Sequence, residues 1–253
     1  MATAAVANDN SFAHELAEAR RQLAAAYRLV ALFGWDDHIA THLSVRLSDN
    51  TFLINPLGLL FDEVTASSLL RLDMEGNFVE PSDFPLNPAG FNIHAGLLSG
   101  LGHINSVMHL HTRDGVAVSA LRDGLLPLSQ NALNIHHDVA YHDFEGIATA
   151  EDERTRLLAD IGGKHLMILR NHGTLTVGKT IGAAFARLYM IEWACTAQVR
   201  TLSMGAALQL PSLDVQERQE TGMGSAWIDG FAEQRFWPAM LRKAERNCPG
   251  FEV

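Results

Sequence analysis

Apolar residues at Phe12, Leu16, Ala19, Leu23, Tyr27 and Val30 recur three or four positions apart, which places them along one face of a helix. Ser11 reads as the N-cap of that helix and Gly34 as its close. Residues 1–10 carry no such period and are expected to form a flexible tail. Beyond Gly34 the period shortens to two. His42–Leu47 and Thr51–Ile54, split by Ser48, Asp49 and Asn50, predict a hairpin, and Leu69–Asp73 a further strand. Glu80–Pro88 holds three prolines and reads as a loop before helix resumes near Ala89.

Farther on, Asn105–His111 and His165–Leu169 read as buried strands, with Gly173–Val177 the expected antiparallel neighbour of the second. Arg113–Arg122 predicts a short helix and Ile181–Leu202 a long one. Strands and helices alternate without a strict βαβ rhythm, so a mixed or antiparallel sheet covered by helices is expected, an α/β chain in the loose sense. The main domain is expected over residues 11–208. After Pro211 a polar stretch gives way to Trp227, Phe231, Phe236 and Trp237, which predicts a helical C-terminal extension over residues 209–253.

The balance of charge narrows the partners. A net charge of −10 with no Lys/Arg run argues against nucleic acid and anionic membranes as partners. The first residues lack a basic segment followed by an apolar core, so no secretory signal is read, and no apolar run is long enough to span a bilayer. Two cysteines, Cys195 and Cys248, give neither a disulfide framework nor a zinc-finger spacing. A reducing, cytoplasmic setting is therefore expected.

Among the twelve histidines, His14, His103, His136, His137 and His165 read as solvated or hydrogen-bonded side chains. His109 and His111 differ, because residues i and i+2 of a strand project from one face and their imidazoles can chelate a single ion. His172 follows the apolar run Leu166–Leu169 and precedes Gly173, where a sharp turn is expected. Three neutral imidazoles with an open position are the ligand set of a catalytic divalent site, with Zn2+ expected and Mn2+ the alternative.

Several segments carry a resemblance: Met108–Thr112, Gly124–Ser129, Ala140–Gly146 and Ile168–Gly173, in this order, together with Asn55–Gly58 and Glu63–Ser68. From about Phe12 to about Leu202 the chain resembles the class II aldolase/adducin family, the adducin-like branch in particular. The resemblance implies a three-layer α/β/α fold around a mainly antiparallel sheet. It also implies a homotetramer with sites between subunits, and a metal held by His109, His111 and His172. In the sugar-phosphate aldolases of the family, the metal stabilises the enediolate left when a carbon–carbon bond breaks.

The sequence departs from those aldolases at telling positions. Matching their active-site histidine to His94 puts their acid/base glutamate at Gly90, which has no side chain to move a proton. Their two phosphate-binding serines fall on Pro88 and Ala89, and the asparagine of their phosphate loop falls on His42. A non-phosphorylated hydroxy-carbonyl or aromatic carboxylate substrate is therefore expected, cleaved by retro-aldol reaction or decarboxylation. His42 and Tyr141 are the candidate catalytic proton donors. Glu145 and His142 read as structural, and Asp36 and Asp37 as a solvated pair. The competing reading is a catalytically inactive, metal-binding interaction or scaffold protein of adducin type, although the acidic balance and the lack of a basic tail argue against a cytoskeletal role.

Overall fold

The computed structural model describes residues 2–146, 151–222 and 224–253. Its strands are β1 (His42–Arg46), β2 (Phe52–Ile54), β3 (Leu70–Leu72), β4 (Ser106–Leu110), β5 (Val139–His142), β6 (Leu166–Leu169) and β7 (Gly173–Gly178). The α-helices among the described residues are α1 (Ala2–Phe33), α2 (Pro88–Gly100), α3 (Arg113–Ser119), α4 (Gln130–Ile135), α5 (Glu151–Ile161), α6 (Ile181–Ser203), α7 (Leu213–Gly222), α8 (Ser225–Phe231) and α9 (Trp237–Asn247). The strands form one sheet in the order β3-β2-β1-β4-β7-β6-β5. Every neighbouring pair is antiparallel except β5 with β6.

Alternation along the strands builds two apolar layers. One face turns Leu43, Val45, Leu53, Met108 and Leu110 against Leu23, Tyr27 and Val30 of α1 and Phe185 and Leu188 of α6. The other turns Phe52, Ile54, Val107, Met167, Leu175 and Val177 against Ile93, Leu97 and Leu98 of α2 and Leu157 and Ile161 of α5. The result is helix, sheet, helix, as expected. A buried tyrosine pins the central strand: the Tyr27 hydroxyl accepts the backbone N–H groups of Leu43 and Asn55, at 2.7 and 3.2 Å, and offers its own proton to the Leu43 carbonyl or Asn55 Oδ1. That bond set fixes β1 one residue from His42.

Helix α1 closes as the sequence indicates. Gly34 takes φ +68°, its N–H reaches Ala31 O, and the N–H of Trp35 reaches Val30 O, a left-handed cap that favours glycine. Its start differs. Backbone helix runs back to Ala2, so Ser11 is not an N-cap and residues 2–10 continue the helix instead of forming a tail. Ala2, Ala4, Ala5 and Ala7 are strong helix formers, and they outweigh the polar Asn8–Asn10.

The C-terminal stretch is helical, but it does not hang off the domain. Trp237 is 4% exposed, packs tilted against Phe185 with ring centroids 5.4 Å apart, and donates its indole N–H to Gln22 Oε1 at 2.8 Å. Phe251 is fully buried in the same core, and its carbonyl accepts the N–H of Ala66. Elements α4, α5 and β5 were not read from the sequence. Among the described residues, no helix is long and apolar enough to cross a membrane.

Candidate metal centre

Three chain segments converge at one end of the sheet. His109 is on β4 and faces the α2 layer, His111 follows the strand end, and His172 sits in the turn between β6 and β7. Pairing of Leu110 with Thr174 brings that turn alongside the end of β4. The turn is closed by His172 N–H to Leu169 O at 3.0 Å, and Asn171 takes φ +55°, a conformation asparagine tolerates better than most side chains. Asn171 therefore makes the sharp turn expected of Gly173. Glycine is needed at 173 for a different reason: a Cβ there would lie 2.3 Å from the Leu110 carbonyl oxygen.

The imidazoles point at one another. His109 Nε2 lies 2.9 Å from His111 Nε2 and 3.3 Å from His172 Nε2, and one ligand atom of each ring falls within 4.8 Å of the others. The opposite nitrogens are occupied. His109 Nδ1 donates to the Thr174 carbonyl at 2.9 Å, and His111 Nδ1 donates to Asp37 Oδ2 at 3.2 Å. A carbonyl can only accept, so the proton of His109 is on Nδ1 and its Nε2 presents a lone pair. His111 is arranged the same way. Two lone pairs 2.9 Å apart repel unless positive charge lies between them. Tetrahedral zinc with bonds of about 2.0–2.1 Å sets its nitrogen ligands about 3.3 Å apart, so the donor set fits a divalent ion.

The electrostatics favour the neutral ligand form. His109 is 1% exposed, and burial holds its pKa well below the ordinary histidine value, reinforced by the neighbouring imidazoles His111, His172 and His42. Burial lowers His172 to about 4, with His111 adding to the effect. His111 is also lowered by burial, against the pull of Asp37. These rings are ready to bind metal at neutral pH without losing a proton.

His42 joins them. It is registered opposite His109, with ring centroids 5.2 Å apart, and both rings line a cavity of about 210 Å3 together with His111, His172, Ala89 and Phe144. Its Nδ1 lies 2.9 Å from His94 Nε2, and His94 Nδ1 lies 2.5 Å from Ser44 Oγ. Burial depresses both rings, His42 well below the usual range and His94 to about 3. The ring of His42 also occupies the volume a side chain at Gly90 would need: a Cβ there would be 2.7 Å from His42 Cδ2. Positions 42 and 90 therefore compete for one volume.

Tyr141 is not among the residues that line this cavity. Strand alternation pairs it with Ile168 on the α6 face, away from the cavity. Its hydroxyl accepts the Leu125 N–H at 3.1 Å, and its ring packs under the Arg170 guanidinium at 4.2 Å. It supports the turn that carries His172 and does not reach the imidazoles. Asp37 is the reverse case, a loop acid read as solvated that instead holds His111. His142 and Glu145 are paired structurally, with Asp160 and Arg156 respectively.

Glu192 of α6 was missed altogether. It is 1% exposed and receives hydrogen bonds from the hydroxyls of Thr112 and Thr174. Burial raises its pKa to about 7, opposed by those two hydroxyls. An acid amid the apolar positions of a long helix was the available signal.

Comparison with known proteins gives the family of the chain. The family model described as "Class II Aldolase and Adducin N-terminal domain" matches residues 21–199, and the chain belongs to that family. It is 48% identical over 239 residues to a "Putative aldolase class 2 protein" of Caulobacter vibrioides, covering 92% of this chain and 91% of the relative. It is 42% identical to mouse alpha-adducin over 77% of this chain but only 27% of the adducin. The crystal structure of an aldolase II superfamily protein from Pseudomonas syringae superposes with a TM-score of 0.89 at 44% identity, covering 94% of this chain and 96% of that one.

Proposed function

We propose that this chain is a divalent-metal-dependent carbon–carbon lyase acting on a small, non-phosphorylated hydroxy-carbonyl or aromatic carboxylate substrate. The observation that carries the reading is His42, set beside the three-histidine cluster and filling the space over Gly90. His109, His111 and His172 would hold the ion, Zn2+ or alternatively Mn2+, since three imidazoles accept either. A bound divalent ion supplies Lewis acidity, stabilising negative charge on a substrate oxygen as the adjacent bond breaks.

The protein's own groups handle the proton. The chain Ser44–His94–His42 has two tautomeric senses. With Ser44 donating to His94 and His94 to His42, the remaining nitrogen of His42, Nε2, carries a proton it can give to a product carbon. With the sense reversed, the same nitrogen is a base. Loss of carbon dioxide needs a donor for the product carbon and no base to start, which suits a site with glycine at position 90. The described lining of the cavity includes no Arg or Lys, which fits a substrate without phosphate.

The test is turnover by metal-loaded protein on a panel of hydroxy-acids and aromatic carboxylates, followed by release of carbon dioxide or aldehyde. His42→Ala is expected to lower kcat by roughly 10²–10⁴-fold, the usual worth of a positioned acid or base, with metal content unchanged. The second reading is a non-catalytic interaction module, favoured by the likeness to alpha-adducin and by Gly90. Full metal occupancy with no turnover anywhere on the panel would decide for it.

A further inference from the structure

We infer that Glu192 is a positioning residue for the metal centre, tethering both histidine-bearing loops from the far side of the sheet; the inference rests on the metal-binding reading of His109, His111 and His172. Its two carboxylate oxygens are divided between the loops. Oε2 accepts the hydroxyl of Thr112, the residue directly after His111. Oε1 accepts the hydroxyl of Thr174 at 2.5 Å, two residues after His172, and the carbonyl of Thr174 is the group that orients His109. One buried carboxylate therefore reaches all three ligands through no more than two residues of backbone.

Each arm is fixed at its other end. The Thr112 hydroxyl caps α3 by accepting the Gly115 N–H at 2.9 Å, so its single proton is committed to Glu192. Gly115 makes room for this: a Cβ there would lie 2.6 Å from Thr112 Oγ1 and 3.1 Å from Thr174 Cγ2. A side chain at that point would push the two threonines off the carboxylate. Thr174 is held within the ladder, opposite Leu110 on one side and Ile168 on the other. Helix α6 adds a second tie to the same corner, from the Thr196 hydroxyl to Asp114 Oδ2 at 2.5 Å. Glu192 touches no histidine, and its effect on the metal is through the aim of the rings.

Groups that orient metal ligands typically change affinity about 10–100-fold when removed. Zinc affinity of the metal-stripped protein, measured by competition with a chromophoric chelator, is expected to fall by that factor in Glu192→Leu. Glu192→Gln is expected to stay within about threefold of the parent, because its amide accepts from one threonine and donates to the other. Thr112→Val and Thr174→Val each cut one arm and are expected to fall between them, and they carry the test if Glu192→Leu does not fold. Thermal unfolding of the metal-free variants separates a general loss of stability from a change at the site. Parental zinc affinity in Glu192→Leu, or in both threonine variants, overturns the inference while the metal site stands. A wild-type protein that takes up no zinc overturns the metal-binding reading, and this inference with it.

Discussion

Between pH 6.5 and pH 5 the metal-free protein is expected to lose several kcal/mol of stability, a range in which ordinary carboxylates titrate little. The cause is the group of buried imidazoles, His42, His94, His109, His111 and His172, all with lowered pKa values, which together outweigh the opposing effect of Glu192, raised by burial to about 7. In the unfolded chain each titrates near 6.5. Above that pH both states are neutral and the full stability is present. As pH falls the unfolded chain takes up protons that the folded protein refuses, so stability is lost on the way down to about 4 for His172 and about 3 for His94. Each unit of lowering is worth about 1.4 kcal/mol, and a domain has only about 5–15 kcal/mol in hand. Urea unfolding at pH 7.5, 6.0 and 5.0 with chelator present reads the slope directly. Saturating zinc is expected to add roughly 4 kcal/mol at a thousandfold excess over Kd near neutrality, and less at acid pH as protons compete for the same nitrogens. A stability that is flat over this range would mean the rings are solvated or already charged.

Introducing a glutamate at position 90 is expected to damage the protein on its own. The added Cβ would meet His42 at 2.7 Å, and the ring has little room to retreat, since its Nδ1 bonds His94 and its face packs on His109. Overpacking of this kind costs about 1–3 kcal/mol, to which burial of the introduced carboxylate adds. Gly90→Glu should therefore lower the unfolding midpoint and abolish any turnover. The double variant His42→Asn with Gly90→Glu replaces the ring by the shorter side chain found there in the sugar-phosphate aldolases this chain resembles. It is expected to be more stable than Gly90→Glu alone, with a coupling of about 0.5–3 kcal/mol. Strict additivity in urea unfolding would show that positions 42 and 90 are independent.

Local patterns made much of this site legible in the sequence. His109 and His111 stand out because strand periodicity is short-range, and a residue two positions away must share the face. The hairpin of β1 and β2 and the close of α1 at Gly34 follow from equally local chemistry. What could not be read depends on neighbours distant in the chain. Gly173 is glycine because the carbonyl oxygen of Leu110, on another strand, crosses its Cβ position. Asp37 turns to the cluster because His111, 74 residues away, meets it. The face that Tyr141 takes depends on the register of β5 against β6, a parallel pairing that no turn announces. The start of α1 was misplaced because a plausible cap residue can equally sit inside a helix whose preceding residues are good helix formers.

The central claim is that His109, His111 and His172 bind one divalent ion. Elemental analysis of the purified protein, beside a His109→Ala, His172→Ala double variant shown by circular dichroism to be folded, tests it most directly. About one zinc or manganese ion per chain in the parent, lost in the variant, is the predicted result. A metal-free parent that takes up neither ion when offered it would contradict the account and leave a non-catalytic scaffold as the better description of this protein.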